Sequence, residues 1–364
     1  MEKIVLSKSI IPQFILMKEE RNPIFIWGVG ALARNVYNYC MKFDINVGGF
    51  FVNVSGNLNS MISNIPVYDI EKLVEQYSRF SVVIGHANYA EGIEFLKGID
   101  NVEKIYCLSS LCYSTYDLIN VEFIEKNYLN LKSFYETLED EKSRKCLKSY
   151  FESRIFDKPE YMFPYYDKDI TYFMNDVIRL SDKETLLDIG ACCGNAIWSF
   201  QQAVDNKYRA IIALEPEEEN YLLLQKNIES KRVKNIIAKQ VCAYNKCGMV
   251  CFEGDREQGG IKKTISTSEH KAYPAITVDC LCEELSMEEA ISLIKINFAF
   301  SVSEVLDGGK NLLKKKKPKL IIRAGFDENV LLETYLLIKK LNPQYKIYLR
   351  YTVGIPQGLT LFAV

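Results

Sequence analysis

The residues with the clearest chemical potential form a glycine-containing turn and the end of the strand that follows it. Residues 188–195 read Asp-Ile-Gly-Ala-Cys-Cys-Gly-Asn and connect an apolar, strand-like run to a segment with helical spacing. Gly190 and Gly194 allow the backbone to approach a ligand closely, and the amides at the start of the helix would face that ligand. About twenty residues further along, Glu215 ends the next predicted strand, where its oxygens can accept both hydroxyls of a ribose. The two features together predict an adenosine-containing ligand.

The amino-acid sequence of the turn narrows the choice of ligand. A glycine turn and a strand-end acid do not by themselves separate a dinucleotide from S-adenosylmethionine. This turn has an acid inside the strand and lacks the Gly-x-Gly-x-x-Gly spacing of dinucleotide-binding turns, and it resembles the methyltransferase form. We therefore expect an S-adenosyl-L-methionine site. Its predicted residues are Asp188, Gly190, Ala191, Cys192, Gly194, Asn195, Glu215 and Pro216.

Seven predicted strands, mostly separated by helices, must position this site. The strands are residues 185–189, 210–214, 236–241, 293–296, 319–322, 346–350 and 359–363. The helices are residues 195–204, 217–230, 302–316 and 328–341. Because a tight turn joins the last two strands, the pattern predicts a mostly parallel sheet with an antiparallel hairpin at its edge.

A smaller α/β pattern precedes this one and contains a second glycine turn. An apolar strand at residues 23–27 runs into Gly28, Gly30 and Ala31 and then into a helix, which is the order of a Rossmann-like unit with helices on both sheet faces. These three residues are a candidate nucleotide site. The position that carries a ribose-binding acid in NAD folds falls near Asn53, and no carboxylate is present there. A tight turn without a ligand, a bound nucleotide or nucleotide-sugar, and nicotinamide-linked chemistry therefore remain open.

The length of 364 residues predicts two domains. We place an N-terminal Rossmann-like domain at 1–108, an amphipathic helical connector at 109–158 and the larger α/β domain at 159–364.

Composition excludes several other classes of protein. With 45 basic and 47 acidic residues the net charge is −2, so nothing indicates a nucleic-acid partner. No apolar run is long enough to span a membrane and the start lacks a signal-peptide pattern, so we expect a cytoplasmic protein. The 11 cysteines have no regular framework, which favours reduced thiols. Cys280 and Cys282 have no second metal-ligand pair nearby, so buried thiols are favoured there and no metal site is predicted.

Four motifs resemble those of the FkbM family of S-adenosylmethionine-dependent methyltransferases. They are residues 134–143, residues 188–194, Glu215-Pro216 with Asn227, and residues 341–350. The resemblance covers residues 134–364 and implies a class I methyltransferase fold and methyl transfer to a hydroxyl, often on a sugar. By position it implies that Gly190, Ala191 and Gly194 hold the methionine part of the cofactor and that Glu215 holds the ribose. It also implies that Cys242 and Ala243 lie near the adenine.

The chain departs from the family pattern where the acceptor would bind. After the fourth strand the family has Lys-x-Asp-x-Glu-Gly-Ala-Glu, whereas this chain has Lys-Ile-Asn-Phe-Ala-Phe-Ser-Val at residues 295–302. Phe326 replaces an expected histidine after the fifth strand. Methylation of a hydroxyl requires alignment and a group that takes the proton. Either His270, Asp255 or Glu257 supplies that group, or the acceptor ionises unaided, or methyl transfer has been lost.

The resulting hypothesis is an O-methyltransferase that acts on a sugar or glycan of a capsule, a surface polysaccharide or a glycosylated metabolite. The first alternative is a catalytically degenerate module that binds cofactor or a partner in a carbohydrate-biosynthesis assembly. A weaker alternative is a nucleotide-sugar oxidoreductase that uses the N-terminal domain. The expected partner is a small molecule or glycan, and the oligomeric state, a homo-oligomer included, stays open.

Overall fold

The structure is a computed structural model. It describes residues 13–53, 61–62, 64–108, 111–112, 115–116, 121–255, 260–262, 271–286, 290–297 and 302–364. The chain divides into two compact units. Unit 1 comprises Met1–Lys126, Lys148–Tyr166 and Val353–Pro356, and unit 2 comprises Asn127–Leu147, Asp167–Thr352 and Gln357–Val364.

Unit 1 contains a mostly parallel sheet whose strands alternate with helices. The elements are α1 (Gln13–Lys18), β1 (Ile24–Trp27), α2 (Ala31–Lys42), β2 (Val47–Val52), β3 (Met61–Ile62), β4 (Ile65–Asp69), α3 (Ile70–Gln76), β5 (Phe80–Ile84), α4 (Tyr89–Lys97) and β6 (Val102–Tyr106). The strand order is β3-β4-β2-β1-β5-β6, and β3 pairs antiparallel with β4 while the other pairings between these strands are parallel.

The central strand β1 is buried on both faces because helices cover each side of the sheet. Ile24 and Ile26 pack into one core together with residues of α1 and α2. Phe25 and Trp27 pack into a second core with residues of α3 and α4. Successive strand residues point to opposite faces, so a strand covered on both sides is apolar throughout. The prediction of helices on both sheet faces is confirmed.

The predicted connector contains strand as well as helix. A short antiparallel hairpin, β7 (Leu111–Cys112) and β8 (Thr115–Tyr116), precedes α5 (Val121–Lys126), α6 (Tyr128–Thr137) and α7 (Glu141–Ile155). The described helices of the predicted connector lie within residues 121–155, and its beginning contains the hairpin. The boundary between the two units falls within α7, and residues 127–147 belong to unit 2.

Unit 2 contains the larger sheet. Its strands are β9 (Thr185–Ile189), β10 (Ala210–Leu214), β11 (Ile236–Lys239), β12 (Cys242–Ala243), β13 (Gly248–Asp255), β14 (Gly260–Lys262), β15 (Lys271–Ile276), β16 (Leu293–Ile296), β17 (Lys319–Arg323), β18 (Ile347–Tyr351) and β19 (Leu359–Ala363). Its further helices are α8 (Asn195–Ala203), α9 (Glu218–Ser230), α10 (Val278–Leu285), α11 (Val302–Gly308), α12 (Lys310–Lys315) and α13 (Glu328–Leu341), with short 3-10 turns at Pro159–Tyr161 and Phe163–Tyr165 in unit 1 and at Pro356–Gly358 before β19.

Seven strands of unit 2 form a sheet in the order β11-β10-β9-β16-β17-β19-β18. The strands β9, β10, β11, β16 and β17 pair in parallel, and β19 pairs antiparallel with both β17 and β18. The predicted mostly parallel sheet with an antiparallel hairpin is confirmed. Four strands lie where they were expected almost to the residue, because fully buried strands are continuous apolar runs.

Two predictions for unit 2 are corrected. The expected single helix at 302–316 is divided at Gly309 into α11 and α12. The stretch between β11 and α10, in which no strand was expected, contributes β12 to β15, which form a separate four-stranded sheet in the order β12-β15-β13-β14. None of the described helices is long and apolar enough to cross a membrane.

A buried arginine brings together two of the motifs that carry the family resemblance. Arg350 on β18 forms ion pairs with Asp140 at 2.7 Å and with Asp176 at 2.8 Å. Its Nη1 also donates to Ser143 Oγ at 3.0 Å, and the same hydroxyl accepts from the backbone N–H of Leu349. These contacts attach the start of α7 to the edge of the large sheet, so this arginine and its partners are structural.

Candidate functional site

The glycine turn of unit 2 lies at the carboxyl end of the central strand β9. The backbone amides of Gly190 and Ala191 both donate to the carbonyl oxygen of Leu214 at 3.0 Å. Gly190, Cys192 and Gly194 have φ angles of +74°, +49° and +98°. Glycine adopts these angles without strain, whereas Cys192 adopts a left-handed conformation that is uncommon for its type. The turn is therefore shaped by its glycines and attached to the neighbouring strand β10.

Gly194 has a packing role in addition to its backbone angle. A Cβ atom at this position would lie 2.8 Å from Cζ2 of Trp198 and 3.1 Å from Cδ1 of Leu224. Gly194 is also the N-cap of α8, and no side chain there accepts from the first amides of that helix. Asn227 on α9 donates from Nδ2 to the carbonyl oxygen of Cys193 at 2.9 Å and so fixes the outer part of the turn. The amides at the start of α8 remain available to an anionic group.

Glu215 follows β10 directly and lies beside the turn. Its Oε2 accepts from the backbone N–H of Cys192 at 2.8 Å, and its Oε1 accepts from that of Glu217 at 3.0 Å. The two amide bonds fix the orientation of the carboxylate, and the side chain of Asn220 interacts with it as well. A carboxylate has about four lone-pair sites, so acceptor capacity for a hydroxyl group remains. Burial raises the pKa of Glu215, the backbone hydrogen bonds oppose this, and Asp188 raises it further.

Asp188 and Lys295 form a buried ion pair beneath the turn. They occupy directly paired positions of β9 and β16, and their side chains are 0% and 2% exposed. Lys295 Nζ lies 2.7 Å from Asp188 Oδ1 and 3.3 Å from the carbonyl oxygen of Gly190. Burial raises the pKa of Asp188, and the neighbouring ammonium opposes that shift. Within the described residues, Asp188 Oδ2 has no hydrogen-bond partner. Asp188 therefore supports the turn from inside the sheet.

Cys242 and Ala243 form β12 and are both buried. Burial raises the pKa of the Cys242 thiol to about 12, and the charge of Glu215 contributes to that shift. Tyr273 on β15 donates to Glu217 Oε2 at 2.6 Å and thereby connects the four-stranded sheet to the start of α9. The structure thus places Cys242 close enough to Glu215 for the carboxylate charge to raise the pKa of the thiol, although the two residues are far apart in the sequence.

The expected acceptor half of the site is only partly within the described residues. Asn297 follows β16, and its Oδ1 is buried with no hydrogen-bond partner among the described residues. Phe326 is buried after β17, where the guanidinium of Arg323 lies 4.5 Å from the centre of its ring. His270 and Glu257 lie outside the described residues, as does the side chain of Asp255. In the described part of the chain, no group of three or more His, Cys, Asp or Glu side chains could hold a metal ion.

The glycine turn of unit 1 has a related backbone and different surroundings. Gly28 has φ +114°, and its amide donates to the carbonyl oxygen of Phe51 at 2.8 Å. Gly30 is the N-cap of α2, which begins at Ala31, and a Cβ atom at Gly30 would meet nothing within 4 Å. The neighbouring strand β2 is followed by Asn53, so no carboxylate takes the place that Glu215 has in unit 2.

The donor and acceptor groups of unit 2 fit S-adenosylmethionine better than those of unit 1. The oriented Glu215 carboxylate suits ribose hydroxyls, and the uncapped start of α8 suits the carboxylate of a methionine chain. Side chains at Cys192 and Asn195 are exposed at the same turn. All of these groups belong to residues that the sequence predicted for the cofactor site.

The fold is that of class I S-adenosylmethionine-dependent methyltransferases. The chain is similar to the crystal structure of a methyltransferase FkbM from Methylobacillus flagellatus, with a TM-score of 0.68, 16% identity, and coverage of 97% of this chain and 92% of that chain. A SAM-dependent methyltransferase from Aquifex aeolicus matches at TM-score 0.29 and 15% identity over 50% of this chain and 81% of its own, which is too low to add an argument. No family model and no curated protein matches the chain.

The pairing of Lys295 with Asp188 was missed at the level of sequence. A signal was present, because both residues are charged within otherwise apolar predicted strands. Two opposite charges in neighbouring buried strands indicate an ion pair, since unpaired charges are seldom buried.

Proposed function

We propose that this protein is an S-adenosylmethionine-dependent methyltransferase that methylates a hydroxyl group of a sugar or glycan, as in a capsule, a surface polysaccharide or a glycosylated metabolite. The observation that carries the proposal is the Glu215 carboxylate, held by two backbone amides beside the glycine turn. Such an acceptor at the end of the second strand of the sheet suits the paired hydroxyls of an adenosine ribose.

The cofactor supplies an electrophilic methyl group on a sulfonium. In the proposed complex Glu215 binds the ribose hydroxyls, and the amide of Asn195, at the start of α8, binds the methionine carboxylate. Gly190 and Ala191 allow the backbone to approach the cofactor closely, while Cys242 and Ala243 contact the adenine. Asp188 supports the shape of the turn. Pro216 and Cys192 lie next to the groups that bind the cofactor.

The acceptor hydroxyl must be aligned with the methyl group and must lose its proton. Asn297 stands at the end of β16, and its amide can hold a hydroxyl by a hydrogen bond but cannot take its proton. In the proposal the proton acceptor is His270, Asp255 or Glu257, or the acceptor ionises without a base.

The same amide favours a second candidate function. A non-catalytic module would also have an intact cofactor turn and Asn297 in place of the acid. Such a module would bind the cofactor or a partner within a carbohydrate-biosynthesis assembly.

Titration of the protein with S-adenosylhomocysteine by calorimetry tests the cofactor site. We expect binding, and Glu215→Ala should weaken it by about 1–3 kcal/mol because the ribose hydroxyls lose a charged acceptor. Glu218→Ala is the matched control, since Glu218 is an exposed acid in the first turn of the following helix, and its affinity should equal that of the wild type. Absence of binding at millimolar ligand would refute the proposed cofactor.

Methyl transfer from labelled cofactor to a panel of nucleotide-sugars and oligosaccharides separates the two candidate functions. Incorporation of label that is lost in Glu215→Ala supports the methyltransferase. Binding of S-adenosylhomocysteine without incorporation into any acceptor favours the non-catalytic module.

A further inference from the structure

Two cysteines from distant parts of unit 2 have their thiols in contact. The side chains of Cys247, just before β13, and Cys280, in the first turn of α10, lie next to each other. Thr277 lies between them as the N-cap of α10, where its Oγ1 accepts from the backbone N–H of Cys280 at 3.0 Å. The same threonine hydrogen-bonds to Cys247. The three residues form one small polar cluster, which we call the Cys247–Cys280 pair.

The strand register accounts for this contact independently. In the antiparallel pairing of β13 with β15, Gly248 lies opposite Ala275, so the chain at Cys247 is adjacent to the end of β15. Helix α10 begins directly after that strand, and its first turn carries Cys280. The bond from the Cys280 amide to Thr277 Oγ1 keeps Cys280 beside the same strand end. A disulfide needs a Cα–Cα distance of about 4.4–6.8 Å, and this placement of the two cysteines is compatible with that requirement.

The pair is accessible, unlike several other thiols of the protein. Cys247 is exposed and Cys280 is partly exposed, whereas Cys242 and Cys282 are buried. Residues two positions apart on a helix lie about 200° apart around its axis, so Cys280 and Cys282 of the Cys-x-Cys motif point into different surroundings. The sequence expectation of buried thiols therefore holds for Cys282 and is corrected for Cys280.

The two thiols also differ in character. Hydrogen bonds from the backbone and side chain of Thr277 and from Cys280 lower the pKa of Cys247. The pKa of Cys280 is raised: its bond to Thr277 lowers it, but the bond to Cys247, together with the charges of Cys247 and Glu283, outweighs this. Cys247 is thus the better source of a thiolate, which is the nucleophilic form in thiol–disulfide exchange.

We propose that Cys247 and Cys280 form a redox-active dithiol that exchanges with low-molecular-weight disulfides such as glutathione disulfide. The Cys247 thiolate attacks one sulfur of glutathione disulfide, that S–S bond breaks, and one glutathione leaves as its thiolate. The Cys280 thiol then loses its proton to solvent, its sulfur attacks the sulfur of Cys247, and the second glutathione leaves. The protein loses two thiol protons and one electron pair, and one glutathione disulfide takes up both to become two glutathiones.

The product joins the start of β13 to α10 and encloses residues 248–279 in a covalent ring. This ring contains β13, β14 and β15. In the sequence it follows β12, which consists of Cys242 and Ala243.

Mass spectrometry of the full chain after incubation with glutathione disulfide tests the proposal. Remaining thiols are alkylated, the protein is digested, and linked peptides are quantified. We expect the Cys247–Cys280 linkage to exceed every other cysteine pairing by about tenfold or more, because these thiols are already in contact. Dithiothreitol should restore both free thiols.

Single substitutions identify the attacking residue. In Cys280→Ser the first step still occurs, so glutathione should persist on Cys247, while in Cys247→Ser the linkage should disappear. Cys251→Ser is the matched control, because Cys251 is an exposed cysteine on β13, four residues after Cys247, and this variant should form the linkage as the wild type does. The proposal is overturned if wild-type Cys247 and Cys280 carry separate glutathiones, or if Cys247 pairs with Cys251 as readily as with Cys280.

Discussion

The two glycine turns of this chain share a local plan and differ in their surroundings. Each follows a buried parallel strand, and each helix begins at a glycine N-cap without a capping side chain. Two positions before the first glycine, unit 1 has Ile26 and unit 2 has Asp188, and both are fully buried. After the neighbouring strand, unit 1 has Asn53 and unit 2 has the oriented carboxylate of Glu215.

The comparison shows that a strand, a glycine turn and a helix are first of all a packing solution. In unit 1, a Cβ atom at Gly85 would lie 2.7 Å from Cβ of Ala33, so a third glycine is needed simply to seat α2 against the neighbouring strand. The polar groups that could recognise a ligand accompany the turn of unit 2. A glycine turn indicates a ligand site only when acceptors and donors accompany it.

The largest expected effect comes from removing the cation beneath the turn of unit 2. Lys295→Met leaves the Asp188 carboxylate buried without its partner and should lower the free energy of unfolding by about 3–5 kcal/mol. Of the two tryptophans, Trp27 lies in unit 1 and Trp198 in unit 2, so urea unfolding followed by fluorescence in a Trp27→Phe background reports on unit 2 alone.

The control for this change removes both charges. Asp188→Asn combined with Lys295→Met should recover a large part of the lost stability, since no unpaired charge remains. In unit 1, Ile26→Val at the matching position should cost only about 0.5–1.5 kcal/mol. A loss below about 1 kcal/mol for Lys295→Met would show that the ion pair does not support the turn.

An intermediate effect is expected from the glycines themselves. Gly194→Ala combines a φ of +98° with a contact of 2.8 Å to the ring of Trp198 and should cost about 1–3 kcal/mol. It should also change the fluorescence of Trp198 and weaken binding of S-adenosylhomocysteine. Gly30→Ala in unit 1, where φ is −77° and a Cβ meets nothing within 4 Å, should change stability by about 0.5 kcal/mol or less. Equal effects of the two substitutions would contradict the difference between the turns.

The smallest expected effect is a pH dependence of unit 2. Burial alone would raise the pKa of Asp140, but hydrogen bonds from Arg350 and Ser143 outweigh it and hold the pKa at about 2, below the usual 3.8. The ionised form is favoured by folding, so this stabilisation is complete above about pH 4 and is lost as the pH falls towards 2. Because the side chain is one-third exposed, solvent screening reduces the effect to about 1 kcal/mol.

Urea midpoints of the Trp27→Phe protein between about pH 5 and pH 2.5 measure this loss. Asp140→Asn removes the titrating group, so its stability should be lower near neutral pH and should fall less on acidification. An identical acid dependence in both proteins would assign the effect to other carboxylates.

Much of the parallel sheet in unit 2 could be predicted from its sequence. The strands Thr185–Ile189 and Ala210–Leu214 were predicted to the residue because both are mostly apolar runs between polar segments, with Asp188 as their single charged residue. The four-stranded sheet was missed for identifiable reasons. Its strand β15 contains Pro274, and β13 contains Gly248 and Gly254, and both residue types lower strand preference.

The broken helix after β16 shows a second limit. Residues 302–316 have helical spacing throughout, yet α11 ends at Gly308, where a Cβ atom would lie 2.1 Å from the carbonyl oxygen of Tyr244. The approach of another part of the chain decides where this helix ends, and helical periodicity contains no information about it.

The sequence by itself determined the order of strand, turn and helix and the placing of an acid at the end of the next strand, because these depend on neighbours along the chain. Only the tertiary structure decided that Lys295 neutralises Asp188, that Arg350 joins Asp140 to Asp176, and that Cys247 meets Cys280. Each of these contacts joins residues far apart in the sequence. Strand register brings Lys295 and Asp188 together, and the packing of helices and loops on the sheet brings the other residues together.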